Sequence, residues 1–118
     1  MIEIINMEPT LMEKIRSISE YYSSEHQLKK AKEELVELME ELESALIING
    51  QIVLPGNTWS EVADVMIMCI QLAMQHEKEK NVLNQMEYKV NRQLKRIEAE
   101  KKKAAWKQGI MSRFTEVE

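Results

Sequence analysis

Five glutamates, Glu33, Glu34, Glu37, Glu40 and Glu41, crowd a stretch of nine residues. On a helix, Glu34, Glu37 and Glu41 stand at i, i+3 and i+7 and share one face, while Glu33 and Glu37 are i, i+4 neighbours. Like charges at such spacings repel by about 0.2–0.5 kcal/mol per pair, and a cation converts that repulsion into coordination. A plain solvated glutamate face has the same spacing. A second acidic set follows, with Glu61, Asp64, Met68, Gln71 and Gln75 on one stripe of an otherwise apolar segment. Asp64 lies between Val62-Ala63 and Val65-Met66-Ile67-Met68. Aspartate is a poor helix-interior residue, and a buried carboxylate costs several kcal/mol unless a metal or a cation compensates it. Lysine or arginine would serve Asp64 as well as a metal would. Glu61 has its own alternative, because Thr58-x-x-Glu61 has the spacing of a capping box. Carboxylates from two helices offer only oxygen, which suits a hard cation, magnesium or manganese, and such sites act on phosphates. His26 and His76 are far apart and Cys69 is a lone small core candidate, so zinc is not expected.

The elements that must hold these residues read as helices. Methionine, leucine, glutamate and lysine dominate, with three glycines and two prolines in 118 residues. The first helix is expected from Pro9 to Tyr22, with Leu11, Ile15, Ile18 and Tyr22 inward. Ser24 and Gln27 have capping-box spacing for a second helix from Glu25 to Ile48, whose inner stripe is Leu28, Ala31, Leu35, Leu38, Leu42 and Ala45. Asn49-Gly50 ends it, and Gln51 to Asn57 is a loop around Pro55-Gly56. A third helix from Thr58 to about Lys80 is apolar nearly all round. A fourth, from about Asn81 to Lys107, carries Leu83, Met86, Val90, Leu94 and Ile97 on one face. It ends in a charged stretch from Glu98, with Gly109 as its stop. The expected fold is therefore all-α, a single domain over residues 1–118. Its antiparallel bundle of about four helices is completed by homo-oligomerisation, because one short chain can hardly cover so much apolar helix.

A formal charge of −4, with both signs spread along the chain, gives no reason to expect nucleic acid as partner. The start MIEIINMEPT has no basic region followed by an apolar stretch, so no leader is expected, and the longest apolar stretch, Val62 to Met74, falls short of the roughly 20 residues of a membrane span. One cysteine fits a reducing, cytoplasmic setting.

The string Glu33-Glu34-Leu35-Val36-Glu37-Leu38, followed by Glu61-Val62-Ala63-Asp64-Val65 with twenty-three residues between Glu37 and Glu61, resembles the EExxE…ExxD signature of MazG-like nucleotide pyrophosphohydrolases. His26-Gln27-Leu28-x-Lys30 resembles that family's lead-in, and the similarity runs from about Tyr22 to Ile97. The resemblance implies an all-α enzyme that splits a nucleoside triphosphate into monophosphate and pyrophosphate with magnesium, and assembles as a dimer or tetramer. By matching position, Glu34, Glu37, Glu61 and Asp64 would be the metal ligands. Glu33 would take a second ion or orient the attacking water, which leaves Glu33, Glu34 and Glu37 as the catalytic group with base and ligand undivided. Gln27, Lys30, Lys89 and Arg92 would contact the substrate, the last two from a basic face that also holds Arg96. Two other readings stand beside this one. A non-catalytic helical adaptor accounts for the apolar spacing but leaves Asp64 unexplained, and a relative without turnover would only bind nucleotides.

Overall fold

A computed structural model describes residues 9–117, with side chains for 9–109. The segment read for a leader, residues 1–8, lies outside the described residues. The chain is mostly helical and divides into two compact units, Met1–Glu79 and Lys80–Glu118. The first unit holds α1 (Pro9–Tyr21), α2 (Ser24–Glu43), a hairpin of β1 (Leu46–Ile48) and β2 (Gln51–Val53), and α3 (Thr58–Gln75). The second consists of α4 (Glu79–Val117) from Lys80 onward.

Pro9 opens α1, where its missing N–H leaves no helical bond unmade. The cap of α2 is Ser23, whose hydroxyl accepts from the backbone N–H of His26 at 3.1 Å. The expected Ser24–Gln27 box does not form, because Gln27 turns inward and its side chain donates to Gln71. α2 stops at Glu43, five residues before the expected end at Ile48. Leu46-Ile47-Ile48 and Gln51-Ile52-Val53 pair instead as antiparallel strands, Leu46 opposite Val53, Ile47 opposite Ile52 and Ile48 opposite Gln51. Asn49 and Gly50 both take positive φ, 51° and 78°, as a two-residue hairpin turn of type I′ requires. The same left-handed backbone serves a helix cap, and the β-branched flanks decide for the hairpin. The segment expected as a loop thus begins as a strand.

α3 ends at Gln75 in a Schellman motif. Lys78 N–H donates to Ala73 C=O and Glu77 N–H to Met74 C=O, with Glu77 at φ 52° in the place glycine usually takes. That break, five residues before the expected one, lets α4 begin at Glu79. α4 then passes through Gly109 without stopping.

The main helix packing sets α3 against both α2 and α1. Gln75 donates to the carbonyls of Ser19 and Tyr22, both at 2.9 Å, and so ties α3 to the end of α1. Buried apolar side chains among the described residues are Ile15, Ala31 and Met74, beside buried Ser19, Gln27, Thr58 and Gln71. Half of the stripe expected inside α2 lies outside: Leu28, Leu35 and Leu42 are each about half exposed, whereas Ala31 is buried and Leu38 and Ala45 are half-buried. α3 is half-buried along most of its apolar length, with Ile67 and Cys69 exposed. In the second unit, Leu83, Met86, Val90, Leu94 and Ile97 are exposed, and Lys102 pairs with Glu98 at 3.5 Å on the charged part of α4. No described helix is long and apolar enough to cross a membrane.

Candidate metal centre

The packing of α2 against α3 brings two i, i+3 acidic pairs together, Glu34 and Glu37 from one helix and Glu61 and Asp64 from the other. One carboxylate oxygen from each of Glu34, Glu61 and Asp64 lies within 4.8 Å of the others, and all three residues are half-buried. Asp64, expected to be enclosed by its apolar neighbours, therefore keeps some contact with solvent. No lysine or arginine among the described residues pairs with it, so the salt-bridge alternative finds no partner there.

The electrostatics follow from that crowding. Glu34 is raised above the ordinary glutamate value of 4.5, first by burial, then by the charges of Glu37 and Asp64, with Lys30 opposing. Glu61 is raised as well, by burial and then by Glu37, while a hydrogen bond from Asn57 pulls the other way. Glu37 itself is exposed, yet it is the largest like-charge influence on both.

Each raised glutamate has one oxygen engaged and one withheld from water. Glu34 Oε1 is 3.9 Å from Lys30 Nζ, and Glu61 Oε1 accepts from Asn57 Nδ2 at 3.0 Å. Glu34 Oε2 and Glu61 Oε2 are both buried without a hydrogen-bond partner. Unpaired buried carboxylate oxygens are expensive, and a bound cation is one remedy. Octahedral magnesium holds neighbouring oxygens about 3 Å apart and opposite ones about 4.2 Å apart, so carboxylate oxygens within 4.8 Å of one another close in by up to about 2 Å to share it. The donor set, the spacing and the two orphaned oxygens fit a small hard cation.

Glu61 is not held in a helix cap, and its Oε2 is left without a partner. The N–H of Thr58 donates to Pro55 C=O at 3.1 Å, so the expected Thr58–Glu61 capping box is not formed. Asn57 instead lies between the helices and reaches Glu61 and, at 3.5 Å, Glu41. Sequence reasoning passed over Asn57, although its place four residues before Glu61 at a helix start was a usable signal.

The other candidates are placed as follows. Glu33 is exposed at the rim, 3.7 Å from Lys30, which bridges it to Glu34. Gln27 is not available to a substrate in this arrangement. It is 1% exposed, and its amide donates to Gln71 and, at 3.6 Å, to Met68 Sδ. Lys89 and Arg92 lie exposed on α4 in the second unit, with the Arg92 guanidinium 5.6 Å above the Tyr88 ring. Tyr22 stacks on His26 at 4.3 Å, one turn before Lys30. Compared with known proteins, the chain matches no family model, no curated protein and no solved structure.

Proposed function

We propose that this chain is a magnesium-dependent nucleoside triphosphate pyrophosphohydrolase of the MazG-like kind. The observation that carries the reading is the Glu34–Glu61–Asp64 cluster, with two buried carboxylate oxygens that have no partner. An adaptor has no use for three carboxylates gathered at a helix interface, since their repulsion only weakens the packing there. Glu34, Glu61 and Asp64 would hold the ion, with Glu37 at their edge. Bound magnesium, or manganese, supplies positive charge against the phosphate oxygens of the substrate.

The chain's own residues do the rest. Glu33, exposed and steadied by Lys30, accepts the proton of the attacking water, and Lys30 offers charge to the triphosphate. Water oxygen bonds to the α-phosphorus as the α–β anhydride bridge breaks, which releases monophosphate and pyrophosphate.

Self-association into a dimer or tetramer belongs to the same reading, because the half-exposed Leu28, Leu35 and Leu42 stripe needs a cover. It completes the antiparallel bundle, in a cytoplasmic protein. That stripe is also what favours a helical adaptor as the second reading. A panel of nucleoside triphosphates with magnesium, read by pyrophosphate release, separates them. An enzyme turns over at least one, a binder shows thermal shifts without product, and an adaptor shows neither.

A further inference from the structure

The hairpin lies in the first unit and contributes no residue to the metal centre. Its six strand residues are all exposed, Ile47 at 77%, Ile52 at 71% and Leu46 at 61%. An isolated two-stranded hairpin is marginal in water, and three or more strands or a packed face are needed to hold one. Both faces here are apolar, Ile47 and Ile52 on one, Leu46, Ile48 and Val53 on the other, with Gln51 the polar exception. A strand that expects water on one side alternates polar with apolar, and these do not.

The edges are equally unguarded. Natural edge strands carry lysine, proline or a bulge, and the continuous register from Leu46–Val53 to Ile48–Gln51 has none of them. A two-residue turn makes Ile48 and Gln51 the hydrogen-bonded pair, so the N–H and C=O of Ile47 and of Ile52 point away from the partner strand. The occupant is indicated by charge. From Ser44 to Ser60 there is no ionisable side chain, seventeen residues in a chain that is 31% charged. A charged docking strand would lose its hydration here for nothing in return. A second copy brings the same neutral edge, and two chains each at −4 meet with least repulsion at this patch.

We infer that the hairpin docks on the hairpin of a second copy of this chain, extending two strands into a four-stranded antiparallel sheet across a two-fold axis. The contact is isologous, edge to identical edge. It rests on the hairpin alone and not on the metal reading.

The test compares sedimentation of the full chain with that of the Ile47→Lys/Ile52→Lys variant, with far-UV circular dichroism on both. The parent self-associates, and the variant keeps its helix signal while the association made through the hairpin weakens by at least about a hundredfold, a dimer falling to monomer or a tetramer to dimer. Independently, Ile47→Cys and Ile52→Cys are each made in a Cys69→Ser background and exposed to mild oxidant. At least one yields a covalent dimer, which decides the matter should the lysines unfold the chain. A monomeric parent, an assembly whose size both lysines leave unchanged, or no cross-link at either position overturns the inference. So does capture of a different protein's strand at this edge. None of these outcomes bears on pyrophosphate release.

Discussion

Replacing Glu34 by glutamine keeps the side chain's shape and removes one of the charges that the α2–α3 interface forces together. Carboxylates 4.8 Å apart, the outer limit for the Glu34–Asp64 pair, repel by about 0.9 kcal/mol in bulk water and about 3.5 kcal/mol at an effective dielectric of 20. Both residues keep solvent contact, so the lower end applies, about 1 kcal/mol. Against this stands the Lys30 ion pair at 3.9 Å, which at a half-exposed lysine is worth about 0–1 kcal/mol. In chelator Glu34→Gln should therefore match the parent or exceed it by up to about 1 kcal/mol, a rise of no more than about 4–8 °C in melting temperature. With magnesium the order changes. Stabilisation follows RT ln(1 + [L]/Kd), so a tenfold loss of affinity removes about 1.4 kcal/mol at saturating metal. Four melts read the result, parent and variant, each with chelator and with magnesium. A variant clearly less stable in chelator, or one that gains as much from magnesium as the parent, refutes the reasoning.

The raised positions of Glu34 and Glu61 fix the sign of a pH effect. A carboxyl held above its unfolded value favours folding when protonated, so its contribution is fully present below about 4.5 and is lost as pH rises through the folded value. Hence the stability difference between parent and Glu34→Gln in chelator should shift towards the variant as pH rises. The magnesium-induced gain of the parent should grow over the same interval, and a pH-independent gain contradicts this. Gln27→Ala strands a buried Gln71 amide and should cost about 1–3 kcal/mol in urea unfolding, beyond any cavity. It should leave the KM of a turned-over triphosphate unchanged, and a raised KM at unaltered stability would return Gln27 to the substrate site.

What the sequence disclosed follows from the range of each interaction. The two acidic pairs were legible because i, i+3 spacing is local, and once α2 and α3 are neighbours the pairs need only meet. The helices α1 and α3 start where proline and threonine place them. The hairpin was not legible, since Asn49-Gly50 fits a left-handed cap and a type I′ turn equally and only the pairing of distant strands chooses. The end of α3 was hidden because glutamate, not glycine, holds the positive φ at position 77. Gln27 was misplaced because a polar residue near an acidic run resembles a ligand contact, while its partner Gln71 lies forty-four positions away. Spacing also says which leucines of α2 share a face, but not whether that face meets a neighbour, and Leu28, Leu35 and Leu42 lie half exposed.

The most direct test of the central claim is the identity of the products. The protein is incubated with magnesium and a nucleoside triphosphate from the panel, and the mixture is followed by phosphorus NMR, with a chelator control. The proposed chemistry predicts monophosphate and pyrophosphate in equal amounts, appearing together and only with metal. Diphosphate with orthophosphate, or the same products in chelator, or no product from any triphosphate, would contradict it.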